Sequence, residues 1–278
     1  MRTIVHLSDL HFGRLDQRLV APLIATIDAI APDLVAISGD LTQRARESQF
    51  AEAHRFLESL RFPRLVVPGN HDVPLYDVAR RVFRPFERYQ RLIARDLEPV
   101  HADREIVAIG LNSARSLSLG RGRLNMRQVR RAVERLRGLP PSLVKIIVTH
   151  HPFDLPDDYA SEHLVGRAKM AMEHLASAGA DLFLAGHLHV SHIGQTAERY
   201  KISGHNALVV QAGTLSTRQR GEANAFNVLG IEHPRIVVAR HAWDDARGAF
   251  AESSIRTFRH ADRGWFEDGT RGDGASEP

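Results

Sequence analysis

Five short apolar runs in this chain each end on residues that can hold a ligand or move a proton. The ends are Asp9-Leu10-His11, Gly39-Asp40, Gly69-Asn70-His71-Asp72, Thr149-His150-His151 and Gly186-His187-Leu188-His189. Imidazole favours Zn, Fe, Mn, Ni or Cu, and carboxylate widens the range towards Mn and Mg. In an extended segment residues i and i+2 lie on one side, so Asp9/His11 and His187/His189 can each reach one ion. The chain has no cysteine, so any metal must be held by nitrogen and oxygen, and no thiol nucleophile or disulfide is available. Each motif alone has an ordinary reading as a turn or a set of surface histidines. Their conjunction is what points to a metal centre.

The elements that would position these residues read as follows. Apolar strands are expected at 3–7, 34–37, 64–67, 105–111, 143–148 and 181–185. Between them lie helical patterns at 17–30 (stopped by Pro32), 46–60, 76–95 (with Pro85 as a break), 125–137 (started by the Asn125 side chain) and 164–178. Strands alternating with helices argue for βαβ units, whose ligands bind beyond the carboxyl ends of the strands. After residue 190 the pattern changes to consecutive strand-like segments at 191–203, 207–211, 225–232, 235–241 and 249–258. The expected fold class is α/β (α+β), with two packed β-sheets in a sandwich flanked by helices. One domain is expected over residues 1–260. Residues 261–278, rich in Gly, Asp, Arg and Ser, are expected to form a mobile tail whose removal costs little stability.

Composition bounds the function. A hydrophobic fraction of 43% and a charged fraction of 25% are those of a globular protein, and 278 residues can bury a large core. No apolar run approaches the roughly 20 residues that span a bilayer. The opening Met1–Asp9 turns polar too early for a secretory signal, and a cytoplasmic setting is expected. The net charge is +4, with the arginines spread over helices rather than in a block, which argues against nucleic acid as a partner. A homodimer is the base-rate expectation for assembly.

The five motifs, in this order, resemble the calcineurin-like metallophosphoesterases, whose pattern is D-x-H, G-D, G-N-H-D/E, H and G-H-x-H. The resemblance runs from about residue 3 to 190 and less distinctly to about 240. Thr149-His150-His151-Pro152, Ala212-Gly213-Thr214 and Phe226-Asn227-Val228 are most similar to the bacterial class III cyclic-nucleotide phosphodiesterase and glycerophosphodiesterase-like branch. The resemblance implies two divalent metal ions, with Mn, Fe or Zn as the expected identities. One would be held by Asp9, His11, Asp40 and His189, the other by Asp40, Asn70, His150 and His187, with Asp40 bridging. It implies that His71 faces the substrate and protonates the leaving group or stabilises its charge. Asp72 would then orient the His71 ring, or serve as a capping residue of the turn. His151 is expected to be a neighbour rather than a ligand.

Two metals roughly 3.5–4 Å apart can clamp a phosphoryl group and lower the pKa of a water, so that hydroxide attacks phosphorus. The expected reaction is hydrolysis of a small phosphodiester such as 3′,5′-cyclic AMP. Asn70 and His71 would contact substrate. Arg218, in the turn Ser216-Thr217-Arg218-Gln219-Arg220, can reach a phosphate. The loops 114–123, 154–163 and 214–224 would shape the entrance. His192 and His205 read as surface residues or pocket lining. The alternatives are a nuclease, a phosphomonoesterase and, more remotely, a non-catalytic scaffold; the intact ligand set argues against the last.

Overall fold

Strand patterns with both faces apolar require cover on both sides, and the chain supplies it in four layers. The computed structural model describes residues 1–118, 120–200, 205–261 and 264–268. In chain order the elements are β1 (Arg2–Leu7), α1 (Gln17–Ile30), β2 (Leu34–Ile37), α2 (Glu47–Ser59), β3 (Arg64–Val66), α3 (Val78–Phe83), α4 (Glu87–Leu92), β4 (Val100–Ala102) and β5 (Ile106–Gly110). There follow α5 (Met126–Leu136), β6 (Val144–Val148), α6 (Ala168–Ser177), β7 (Leu182–Ala185), β8 (His192–Gln195), α7 (Thr196–Tyr200) and β9 (Leu208–Gln211). Four strands close the chain: β10 (Ala225–Glu232), β11 (Arg235–Asp244), β12 (Ala249–Ala261) and β13 (Gly264–Glu267).

One sheet has the order β13-β12-β11-β10-β1-β2-β3 and the other β4-β5-β6-β7-β9-β8. β1, β2 and β3 are parallel, as are β5, β6, β7 and β9. Period two sorts the side chains of each strand. Ile4 of β1, Leu34 and Ala36 of β2, and Val144, Ile146 and Val148 of β6 fill the space between the sheets. Val5, Leu7, Val35 and Ile37 face outwards under α1 and α2, against Leu19, Leu23, Phe50 and Phe56. Ile147 and Phe183 face the other way, under Val129 and Val133 of α5 and Met172 and Leu175 of α6. The two-sheet sandwich with helices outside is the expected architecture.

Local signals place most boundaries. Asp16 accepts a hydrogen bond from the Arg18 backbone at the start of α1, and Asn125 accepts one from Gln128 at the start of α5, while the Gln128 side chain accepts from Asn125 N–H. Pro85 separates α3 from α4 within the segment read as 76–95.

Two readings need correction, and one strand was not read. The strand expected at 191–203 ends at Gln195 and gives way to α7, because Arg199 and Tyr200 turn back to bond Asp154 and the Phe153 carbonyl; residues 201–203 lie outside the described residues. β4, half exposed and three residues long, carries too little pattern to be read. The domain does not end at 260. β13 pairs with β12, and Trp265 is fully buried in the inter-sheet core, its indole N–H donating to Asp181 at 3.0 Å. The rest of the expected tail, residues 262–263 and 269–278, lies outside the described residues.

Candidate metal centre

The parallel strands β1, β2 and β3 of one sheet and β6 and β7 of the other end at the same edge of the sandwich. The loop after β1 runs beside the loop after β2: Asp9 N–H donates to the Gly39 carbonyl at 3.1 Å and His11 N–H to the Asp40 carbonyl at 2.9 Å. Five of the residues there adopt left-handed backbone although none is glycine: Asp9, His11, Asp40, His187 and His189, with φ between 47° and 77°. Such conformations cost about 1–3 kcal/mol each and persist where the surroundings over-determine them. Close approach also demands glycine at 186, where a Cβ would overlap Ser8 Oγ and Asp9 Oδ2, and at 69, where it would overlap the Asp40 carboxylate.

The donor atoms fall into two sets. In the first, His11 Nε2 and His189 Nε2 stand 3.1 Å apart. Asp9 Oδ1 lies 3.5 Å from His11 Nε2 and 3.2 Å from His189 Nε2. In the second, His150 Nε2 lies 3.1 Å from Asn70 Oδ1 and 3.3 Å from His187 Nδ1. Asp40 Oδ2 belongs to both, 3.7 Å from His11 Nε2 and 3.3 Å from His150 Nε2. The outer faces of the rings fix the tautomers: His150 Nδ1–H donates to the Ser38 carbonyl and His189 Nδ1–H to the Arg218 carbonyl, both at 2.8 Å. The Nε2 lone pairs are thereby turned inwards, as metal-ligating histidines require. Asp9 Oδ1 is buried without a hydrogen-bond partner. A buried, unpaired carboxylate oxygen facing two imidazole nitrogens fits a divalent cation, and the set as a whole fits two ions sharing Asp40.

The electrostatics agree. Burial alone would raise the Asp9 and Asp40 pKa values, but the neighbouring histidines hold both carboxyls well below the usual range. Burial works against protonated His150, yet Asp40 raises its pKa to about 9. His187, desolvated and next to His150, is pushed down to about 3. The cluster is thus anionic oxygen that demands positive charge in its midst.

The other expected residues divide. His71 sits at the rim, its ring centroid 4.8 Å from that of His11. Its Nδ1–H donates to the Gln43 carbonyl at 2.9 Å, and its Nε2 lies 3.1 Å from Arg218 Nη1. Asp72 does not touch the ring. It accepts from Leu41 N–H, Thr42 N–H, the Thr42 hydroxyl and Gly69 N–H, so the orienting partner of His71 is Gln43 and Asp72 braces the turn that carries Asp40. The reason is local: Asn70–Asp72 form one 3-10 turn, which sends successive side chains in three directions. Burial, reinforced by Asp40, raises the Asp72 pKa to about 7, against the pull of those N–H donors. His151 bonds Ser113 Oγ and the Gly120 carbonyl, tying those two positions to the end of β6. His192 pairs with Asp154 and His205 with the Ala180 carbonyl, and neither lines the pocket.

Above the donors lies a pocket of about 260 Å³, walled by Arg121, Glu162, His163, His187, Arg218 and Arg220 among others. Arg121, Glu162, His163 and Gln43 were not singled out from sequence. Only their positions in or beside long loops hinted at them.

Comparison with known proteins agrees with this geometry. Residues 2–191 match the family model described as calcineurin-like phosphoesterase. A glycerophosphodiester phosphodiesterase, GpdQ of Enterobacter lignolyticus, is 31% identical over 80 residues, covering 25% of this chain and 29% of that protein. Among solved structures, a dimetal phosphatase from Danio rerio superposes with a TM-score of 0.67 at 13% identity, over 94% of this chain and 99% of that one. The purple acid phosphatase PPD1 of yellow lupin gives 0.69 at 12% identity, over 91% of this chain and 53% of that one. The chain therefore spans less than two thirds of the curated relative and of the lupin enzyme, and at these identities the solved structures speak for the fold alone. The family match, which covers well over half of the chain and all five motifs, decides the assignment: this chain belongs to the calcineurin-like phosphoesterases.

Proposed function

We propose that the protein is a two-metal hydrolase of small phosphodiesters. The observation that carries the reading is the pair of donor sets sharing Asp40 Oδ2, one built on Asp9, His11 and His189 and the other on Asn70, His150 and His187. When bound, two divalent ions would supply a clamp on the phosphoryl oxygens and a water of lowered pKa. The chain's own groups do the rest. Ser38 and Arg218 carbonyls hold His150 and His189 in the ligating tautomer. Gln43 holds His71 with Nε2 facing the pocket, where it can carry a proton to a leaving alkoxide. Arg218 donates towards that nitrogen in this structure; an anionic substrate competes for the guanidinium and frees Nε2.

Two facts support a diester over a monoester. Further clefts neighbour the metal pocket on two sides, one sharing its lining residues Arg121 and Gly122 and the other sharing Arg218, and a phosphorus bearing two substituents needs room on both. The curated relative, by its name, acts on a glycerophosphodiester. The test is kcat/KM on one manganese-loaded preparation for bis-p-nitrophenyl phosphate, p-nitrophenyl phosphate and 3′,5′-cyclic AMP. The diester is expected to exceed the monoester, with cyclic AMP measurably cleaved. A preference for the monoester would overturn the diester assignment and leave a two-metal phosphoesterase.

A further inference from the structure

Beyond His71 the surface does not close. A cleft of about 500 Å³ lies there, lined by Arg14, Gln43, Arg44, Arg46, Gln49 and Arg218. It neighbours the metal pocket, and Arg218 lines both. No carboxylate lines it among the described residues. Among the described residues none of its four arginines is ion-paired, and the acids beside them in sequence are taken: Asp16 by Arg18, Glu47 by Arg91 and Glu222 by Arg240.

The positions are built rather than incidental. Gln49 Oε1 accepts Arg44 N–H at 2.9 Å, fixing the segment that carries Arg44 and Arg46. Arg44 Nη1 donates to the Gln43 carbonyl at 3.2 Å, and its guanidinium lies 6.0 Å from the Tyr76 ring centroid. Arg218 is half-buried. Guanidinium groups without an ion-pair partner along one cleft suit an anion, and phosphate is the anion whose geometry they match. In sequence these residues are too scattered to form a basic block; only the fold collects them.

We propose that this cleft is a second anion subsite, taking a phosphate attached on the His71 side of the diester being cleaved. The substrate class is then a phosphodiester bearing another phosphate, either a terminal monoester or the next diester of a short oligonucleotide. This rests on the phosphodiesterase reading above and narrows it.

The test compares dTpdT with pdTpdT and dTpdTp, one of which places its extra phosphate on the leaving side, and with dTpdTpdT, whose second phosphate is a diester. kcat/KM is measured on manganese-loaded protein, wild type and Arg14→Gln/Arg46→Gln. The readout is the ratio of each extended substrate to dTpdT within one protein, which cancels any general loss of fold or metal. For wild type at least one ratio should reach about tenfold, through a lower KM, and shrink as salt rises. In the double variant it should fall towards one. Gain with a terminal phosphate only, or also with dTpdTpdT, distinguishes the two sources. Calorimetric titration of the same ligands into chelated protein gives the ratios as affinities, without turnover. Ratios near one in wild type by both measurements, or ratios that persist in the double variant, overturn the subsite. Failure to cleave bis-p-nitrophenyl phosphate would overturn only the phosphodiesterase reading, since the calorimetric ratios still report on the cleft.

Discussion

The His71 ring is tied from behind by the Gln43 carbonyl and meets Arg218 in front, at the rim of the donor cluster. Removing it should therefore separate chemistry from metal binding. His71→Ala is expected to keep both ions by elemental analysis while losing about 10²–10⁴-fold in kcat on substrates with alkoxide leaving groups. The loss should be smaller with p-nitrophenolate as leaving group, which needs no proton. An equal loss on both would assign His71 to positioning instead. At this scale the sequence placed seven candidate donors at the ends of apolar strands, and the structure brings those side chains together at one edge of the sandwich. For Asp72 the sequence left two roles open, orienting the His71 ring or capping the turn, and the structure decides for the turn. Its neighbours Asn70 and His71 face the site, and only the geometry of the 3-10 turn sends the third side chain back to Thr42 and Gly69.

The elements matter most where two of them nearly touch. The end of β7 lies against the end of β1, with Gly186 over Ser8 and Asp9, and His187 N–H donates to Asp9 Oδ2 at 2.9 Å. A methyl group at 186 has no room there. Gly186→Ala should push Asp9 out of line, lower the metal content below two ions per chain and lower the melting temperature. A variant with two tightly held ions and an unchanged melting point would show that the strand ends can part without consequence. Most strands and helices of the first 190 residues were legible, β4 excepted, because both-face burial leaves continuous apolar runs, Asn125 marks a helix start and Pro32 a helix stop. α7 was not, since its turn is dictated by Asp154 and Phe153, about 45 residues away in sequence.

For the molecule as a whole, the last strand is the instructive error. Read as sequence, Gly264-Trp265-Phe266-Glu267 sits in a polar, glycine-rich stretch with no periodic face. In the structure Trp265 completes the inter-sheet core beside Phe258 and Leu208. Trp265→Ala should lower unfolding stability by about 3–5 kcal/mol, seen as a lower urea midpoint with little change in slope. A shift below about 1 kcal/mol would mean that the strand is dispensable, as the sequence suggests.

The two donor sets also straddle the gap between the sheets. Asp9, His11, Asp40 and Asn70 follow β1, β2 and β3 of one sheet, while His150, His187 and His189 follow β6 and β7 of the other, and each set draws on both. An ion seated in either set is thus a rivet through the sandwich as well as a reagent. By mass action, free metal at a hundredfold excess over its dissociation constant adds about 2.7 kcal/mol for each such rivet. Metal scarcity would then reach this protein twice, first as a silent active site and then as a scaffold less firmly fastened at the edge where its chemistry is done.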